Sequence, residues 1–405
     1  MAQFVCRMAL PTGEIVERTV AADTEAALRR ELEDKDMLVL ELRRQNPLMS
    51  AVGGVLAVKP RIAGREFLFF NQEFSALLRA GLPILTSLDI LIDRRKNLVF
   101  KKTLMDIRER VKGGESLSEA FAAQGELFPK LYAASLASGE RSGELPNVLK
   151  RYIAYTRSIM TIQKKVVGAL IYPAILVCVS VVIVVIMLFK VIPAFATLFA
   201  TLGTTLPWQT EMLVGLAMFL QSMWKPILGL AVGGVVAFLT WKRSPLGRIG
   251  FDRMMMRLPL VGGVIQDYAQ NRFTRTLSTL LAGGIPLVTS LELAARAVGN
   301  YVFEKELLGV TVRVREGQAL WESLERTGYI SEMAVEMVKV GESTGSLVEM
   351  LDNASEFSEE EIDYRLSKMV TMIEPLMLVF MAVVVTGMIL AIYMPLFQAV
   401  GASKF

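Results

Sequence analysis

The sequence predicts a mainly α-helical, polytopic membrane protein. It would contain two homologous cytoplasmic helical bundles, three transmembrane helices and a small N-terminal α/β module. Three observations carry that expectation. Residues 77–90 read LLRAGLPILTSLDI and residues 280–293 read LLAGGIPLVTSLEL, a phrase stated twice. Long stretches carry no charge, such as Val166 to Phe189 and Pro375 to Ser403. Apolar residues make up 53% of the 405, and the mean hydropathy of +0.45 is too high for a water-soluble fold of this length.

Residues 1–45 form the small module. Phe4 to Leu10 and Ile15 to Val20 flank Pro-Thr-Gly, a hairpin signal, and Met37 to Leu42 read as a third strand. Asp23 can cap a helix from Thr24 to about Asp34. Residues 46–63 are low in charge and rich in small side chains, so they read as a linker.

Residues 64–165 are amphipathic and helical, the first bundle. Phe67, Phe70, Phe74, Leu77 and Leu78 fall at spacings of three and four, which puts them on one helix face. Gly81-x-Pro83 then breaks the helix, because glycine opens the backbone and proline lacks an amide to donate. Ser116-Leu-Ser-Glu119 is a capping box, and Gly139-Glu140-Arg-Ser-Gly143 marks a later turn. About six short helices result.

Residues 166–190 are the first membrane candidate, since a span needs about 20 apolar residues. Residues 191–218 are a loop without Lys or Arg. Residues 219–241 are the second span, with Lys225 snorkelling to the interface. Residues 242–368 hold the second bundle, 369–397 the third span and 398–405 a short tail. Lys164, Lys165, Lys242, Arg243, Arg365 and Lys368 lie on the bundle side of the spans. By the positive-inside rule both bundles are cytoplasmic, and the 191–218 loop and the tail lie outside.

The second bundle restates the first. Gly284 and Pro286 match Gly81 and Pro83 at an offset of 203. Gly341-Glu342-Ser-Thr-Gly345 matches the Gly139 to Gly143 turn at an offset of 202, and Pro375 matches Pro173 at the same offset. The repeated unit is about 125 residues long. Two copies are too few for an open solenoid, so a pair of related bundles is expected.

Little in the chain suggests catalysis. There is no histidine, and Cys6 and Cys178 lie far apart in unlike segments. No phosphate loop, dinucleotide fingerprint or nucleophile elbow occurs. No cofactor is expected. Glu140 and Glu342 recur by duplication without other metal or acid–base groups nearby; helix-end capping or a cross-helix salt bridge suits them better. Met254-Met-Met256 reads as packing. The acidic run 356–363 reads as a solvated helix face, with a landing strip for a basic partner as the alternative.

The two L-L-x-x-G-[LI]-P phrases, the two G-E-x-x-G-x-L turns, the Tyr172-Pro173 and Glu374-Pro375 openings of the outer spans, and the closing Tyr393-Met-Pro-Leu-Phe397 carry a resemblance. Together they resemble the type II secretion system F family, inner-membrane platform proteins of type IV pilus and type II secretion machines. The similarity runs from the first strand to about residue 400, and Val298-Gly-Asn300 with the closing motif leans to the pilus branch. What the resemblance implies is a non-enzymatic platform that couples a cytoplasmic ATPase to extraction and polymerisation of pilin or pseudopilin subunits. Other inner-membrane assembly proteins, lipid and further copies of the chain would be partners, and nucleic acid would not.

Tyr172, Pro173, Glu374 and Pro375 become candidates for membrane or subunit contact. Glu374 would receive the N-terminal amine of a pilin-like subunit or, alternatively, anchor at the interface by pairing with Lys368 or Arg365. The rival function is an oligomeric transporter or channel component. It calls for several polar groups inside the spans, where only Glu374 and Lys225 qualify.

Overall fold

The computed structural model describes residues 2–9, 15–22, 38–44, 62–194, 197, 208–259 and 261–402. At the N-terminus, strands β1 (Ala2–Ala9), β2 (Ile15–Ala22) and β3 (Leu38–Arg44) form an antiparallel sheet in the order β2-β1-β3. β1 pairs with β2 from Ala2 opposite Ala22 to Ala9 opposite Ile15. The β1–β3 register slips between Arg7 and Met8, as at a bulge. The helix expected over 24–34 and nearly all of the 46–63 linker lie outside the described residues.

The first repeat folds as α1 (Gly64–Arg79), α2 (Ile84–Asp93), α3 (Leu98–Lys112), α4 (Leu117–Ala122), α5 (Lys130–Ser142) and α6 (Leu145–Ile186). Its starts are encoded locally. Asn97 accepts from the amides of Val99 and Phe100 at 3.0 and 3.3 Å and so begins α3. Ser116 and Glu119 make the expected capping box on α4. The predicted stripe turns inward: Phe70 and Phe74 are fully buried, and Phe67 nearly so. Phe67 meets Tyr132 edge-to-face at 4.9 Å, and Phe121 meets Phe128 at 4.9 Å in the same way. Each such buried ring contributes about 1.5–3 kcal/mol over exposure.

α7 (Trp208–Arg243) and α8 (Pro245–Arg257) lead to the second repeat. It comprises α9 (Val261–Ala282), α10 (Leu287–Ala297), α11 (Tyr301–Arg315), α12 (Leu320–Glu325), α13 (Glu332–Thr344) and α14 (Leu347–Ala402). Its core is mostly aliphatic, built on Leu277, Leu291, Leu307, Val310 and Leu351 around Phe273 and Phe303. A third, smaller cluster of Ile162, Val264, Ile362, Leu366 and Met369 joins α6, α9 and α14. Met256 packs beside the second core, whereas Met254 of the same triplet is exposed.

Four expected boundaries do not coincide with helix ends. The edges at 165/166 and 368/369 are changes of composition only, because α6 and α14 run straight through them. The expected 191–218 loop ends in helix from Trp208, where Glu211 in the first turn complements the helix dipole. The expected 398–405 tail begins as the last turn of α14. Among the described residues, two helical stretches, Leu145–Ala194 and Leu347–Gly387, are long and apolar enough to cross a membrane, and Val232–Lys242 is a shorter apolar stretch.

Candidate functional site

The duplicated turns supply the geometry that both bundles share. At the hairpins, Gly81 and Gly284 have φ of 81° and 78°, the left-handed region that a side chain resists. Pro83 and Pro286 follow as the N-cap residues of α2 and α10. At the second turn, Gly143 and Gly345 are left-handed C-caps of α5 and α13. Gly139 and Gly341, the first glycines of the same motifs, lie inside α5 and α13. They are helical, and they let the next helix close in. A Cβ on Gly139 would stand 3.2 Å from Leu145 Cα, and one on Gly341 2.9 Å from Leu347 Cα.

That close approach aims the neighbouring carboxylates. Glu140 accepts from the amides of Leu117 and Ser118 at 2.5 and 3.1 Å, and so caps α4 from across the bundle. Glu342 does the same for Leu320 and Trp321 at 3.0 and 3.2 Å. The first free amides of a helix are satisfied by a charge where the dipole favours it. In the first repeat Ser116 shares the task; in the second the N-cap is Ala319, which has no side-chain acceptor.

The repeats differ most where the first is aromatic. Phe67 has as its counterpart Gln270, which donates to Ser331 and Ser358 at 3.0 and 2.8 Å and accepts from the Ser331 amide at 2.7 Å. One turn away stands Asp267, 8% exposed, with Arg365 Nε of α14 2.6 Å from its Oδ2. That oxygen has no aligned hydrogen bond, so the contact is one of charge. Burial pushes Asp267 up to about 6, against the opposing pull of Arg365, with Glu361 adding to the rise. These groups line a cavity of about 300 Å³. The sequence motifs did not single them out; the exchange of Phe67 for Gln270 between aligned repeats was the available signal.

The acidic run is largely occupied within the chain. Asp363 and Glu359 of α14 face Lys165 of α6 at 2.6 and 3.6 Å, and Glu361 lies 3.6 Å from Arg365. Those three carboxylates thus have partners within the chain, and Arg365 pairs here with Asp267 and Glu361. Of the span candidates, Pro173 is buried within α6 and Tyr172 is exposed beside it. Glu374 and Pro375 are both exposed on α14. Nothing brings these four together with the Gly-Glu turns.

The two repeats also meet. Ser138 of α5 donates to the Gly283 carbonyl, Arg151 of α6 to the Ala282 carbonyl, and the hydroxyls of Thr276 and Tyr155 lie 3.2 Å apart. Leu280 and Ile285, from the second hairpin, are buried in the core of the first bundle. The sequence model for type II secretion system (T2SS), protein F, matches residues 70–193 and again 273–395, one match on each repeat. The chain belongs to the type II secretion system protein F family.

Relatives of this chain carry pilus-assembly and secretion-system names. It is 31% identical to the type IV pilus assembly protein PilC of Myxococcus xanthus, over 100% of this chain and 96% of the relative. It is 33% identical to the PilC of Pseudomonas aeruginosa, over 88% and 97%. With the type II secretion system protein F of Pseudomonas aeruginosa it shares 30%, over 98% of both chains. The pilus side of the family is thus supported, in keeping with the closing sequence motif.

Proposed function

We propose that this chain is an inner-membrane assembly platform for a type IV pilus or a type II secretion system. It couples a cytoplasmic ATPase to the extraction of pilin or pseudopilin subunits and their polymerisation, and catalyses no reaction itself. Both bundles face the cytoplasm with the N-terminus; α6, α7 and α14 cross the membrane; the C-terminus is periplasmic. Lipid, other inner-membrane assembly proteins and further copies of the chain are its contacts.

The observation that carries this reading is the unbroken passage of each bundle into an apolar helix, through α6 and α14. A bundle built this way moves its membrane helix when a partner moves the bundle. The names of the relatives supply the machine in which such a movement is used. The Gly81, Pro83, Gly284 and Pro286 hairpins and the two Gly-Glu turns are scaffold in this scheme, while Tyr172, Pro173, Glu374 and Pro375 meet lipid or subunit.

Co-purification tests it. The tagged full-length chain, cross-linked in native membranes, should bring down a cytoplasmic ATPase and pilin-like subunits, and purified alone it should hydrolyse no ATP. Solute uptake by vesicles containing only this protein, with no assembly partners recovered, would replace the platform with the transporter alternative.

A further inference from the structure

The contact between the repeats is heterologous, and it leaves one unused half on each bundle. Within the chain, the α5–α6 face of the first bundle, at Ser138 and Arg151, receives the hairpin turn of the second, at Ala282 and Gly283. The duplication equips the second bundle with an equivalent receiving face and the first with an equivalent turn. Val340 and Asn353 stand where Ser138 and Arg151 do, and Arg79 and Ala80 where Ala282 and Gly283 do. A two-fold relation between the repeats would have joined Val340 to Ala80 in the same chain. Instead Val340 is 42% exposed, and Asn353, Arg79 and Ala80 are exposed too.

The apolar side of the contact shows the same imbalance. Leu280 and Ile285 of the second hairpin are 0% and 7% exposed because the first bundle covers them. Their counterparts Leu77 and Leu82 are only half-buried. Ser138 has become Val340, so a hydroxyl that donates is exchanged for an aliphatic group that gains from being covered. Asn353 keeps a donor for the Arg79 carbonyl.

We propose that a second copy of this chain completes both halves. The first-bundle hairpin of one protomer docks on the α13–α14 face of the next protomer's second bundle, repeating between chains the contact that joins the repeats within one. A heterologous contact of this kind propagates head-to-tail and closes into a ring where the rotation allows. The inference depends on the proposed function only in placing the copies in one membrane.

Disulfide trapping in membranes decides it. In a full-length background with Cys6→Ser and Cys178→Ser, two differently tagged copies are co-expressed, one with Ala80→Cys and the other with Val340→Cys. Oxidation should yield the mixed dimer, while neither variant expressed alone should cross-link to itself. A single chain carrying both cysteines should give a ladder of multimers. The pair Ser138→Cys and Gly283→Cys, placed in one chain, should close within that chain and report the internal contact. Closure of that pair without the mixed dimer overturns the proposal, as does failure of the internal pair to close. Cross-linking of Val340→Cys with itself would indicate an isologous interface and also overturn it. Fibre assembly in the same strains reports separately on the platform function.

Discussion

Glu342 holds the start of α12 by accepting from the Leu320 amide at 3.0 Å, across 22 residues of chain. The same bond recurs between Glu140 and Leu117, but with Ser116 and Glu119 also serving that helix start. The second repeat therefore leans on one carboxylate for what the first obtains from three side chains. Glu342→Ala should destabilise the detergent-purified protein by about 2 kcal/mol, the scale of a charged hydrogen bond left unmade. Glu140→Ala should cost less, because the capping box remains. Thermal melting of both variants checks the order, and a larger loss for Glu140→Ala would contradict it.

The glycine one residue earlier sets how closely two helices approach. A Cβ on Gly341 would lie 2.9 Å from both Leu347 Cα and Met350 Cβ. On Gly139 the nearest contacts are 3.1–3.2 Å, two of them to the ends of Leu145 and Val148 side chains. Gly341→Ala should lower the melting temperature more than Gly139→Ala, since a backbone atom yields less readily than a methyl. Gly81→Val acts by another route, forcing a β-branched residue to positive φ, and should reduce the amount of protein in the membrane.

How much of this was legible in the sequence depends on the distance along the chain over which each interaction acts. The capping box, the hairpin breaks and the apolar stripe Phe67, Phe70 and Phe74 arise within one or two turns, and spacing alone exposes them. Glu140 could be marked as recurring, but its partners lie 22 and 23 residues back, and no local pattern names them. Asp267 and Arg365 are 98 positions apart and carry no motif, so only the fold unites them. The continuity of α6 and α14 was hidden for a different reason: composition changes at 165 and 368, whereas a helix ends only where its backbone bonds are interrupted.

Asp267 gives a pH dependence with a definite sign. Its folded-state value of about 6 lies above the ordinary 3.8, so the folded protein holds this proton more tightly than the unfolded chain. Its ionisation therefore costs stability progressively as pH rises from about 4 to about 6, and protonation restores it. Asp267→Asn removes that cost. The stability of the variant relative to wild type should climb across this window and level off above it. Melting curves of both proteins at stepped pH test this, and parallel pH profiles would refute it.

The proposed orientation can be read chemically. A cysteine at Thr204, placed in a background lacking Cys6 and Cys178, should react in intact cells with a membrane-impermeant maleimide. One at Glu360, an exposed position of α14, should react only after the cells are opened. Ser358 is unsuitable as the cytoplasmic probe because it is 1% exposed, and its hydroxyl accepts from Gln270. Labelling in the reverse order would invert the topology.

Glu374 is exposed on α14, while Arg365, one of its two expected anchors, is engaged by Asp267 and Glu361. That leaves the carboxylate available for a cation brought by another molecule, and a pilin-like N-terminal amine is the proposed one. Glu374→Gln preserves size and removes charge. It should accumulate normally yet assemble fewer fibres; undiminished assembly would make Glu374 an interfacial anchor and nothing more.

The length of α14 has a mechanical consequence. Its 56 residues run about 84 Å, with the first turns beside the Gly341 notch, a charged middle through Lys368 and the apolar run beyond. No loop separates the two parts, and the one interruption where the apolar run begins is Pro375, which has no amide to donate to the helix. In the proposed platform, a torque applied to the second bundle would reach the far end of α14 as a sideways sweep. The Lys165 pair with Asp363 and the Ile162–Leu366 packing lie between those ends, where a fulcrum would stand.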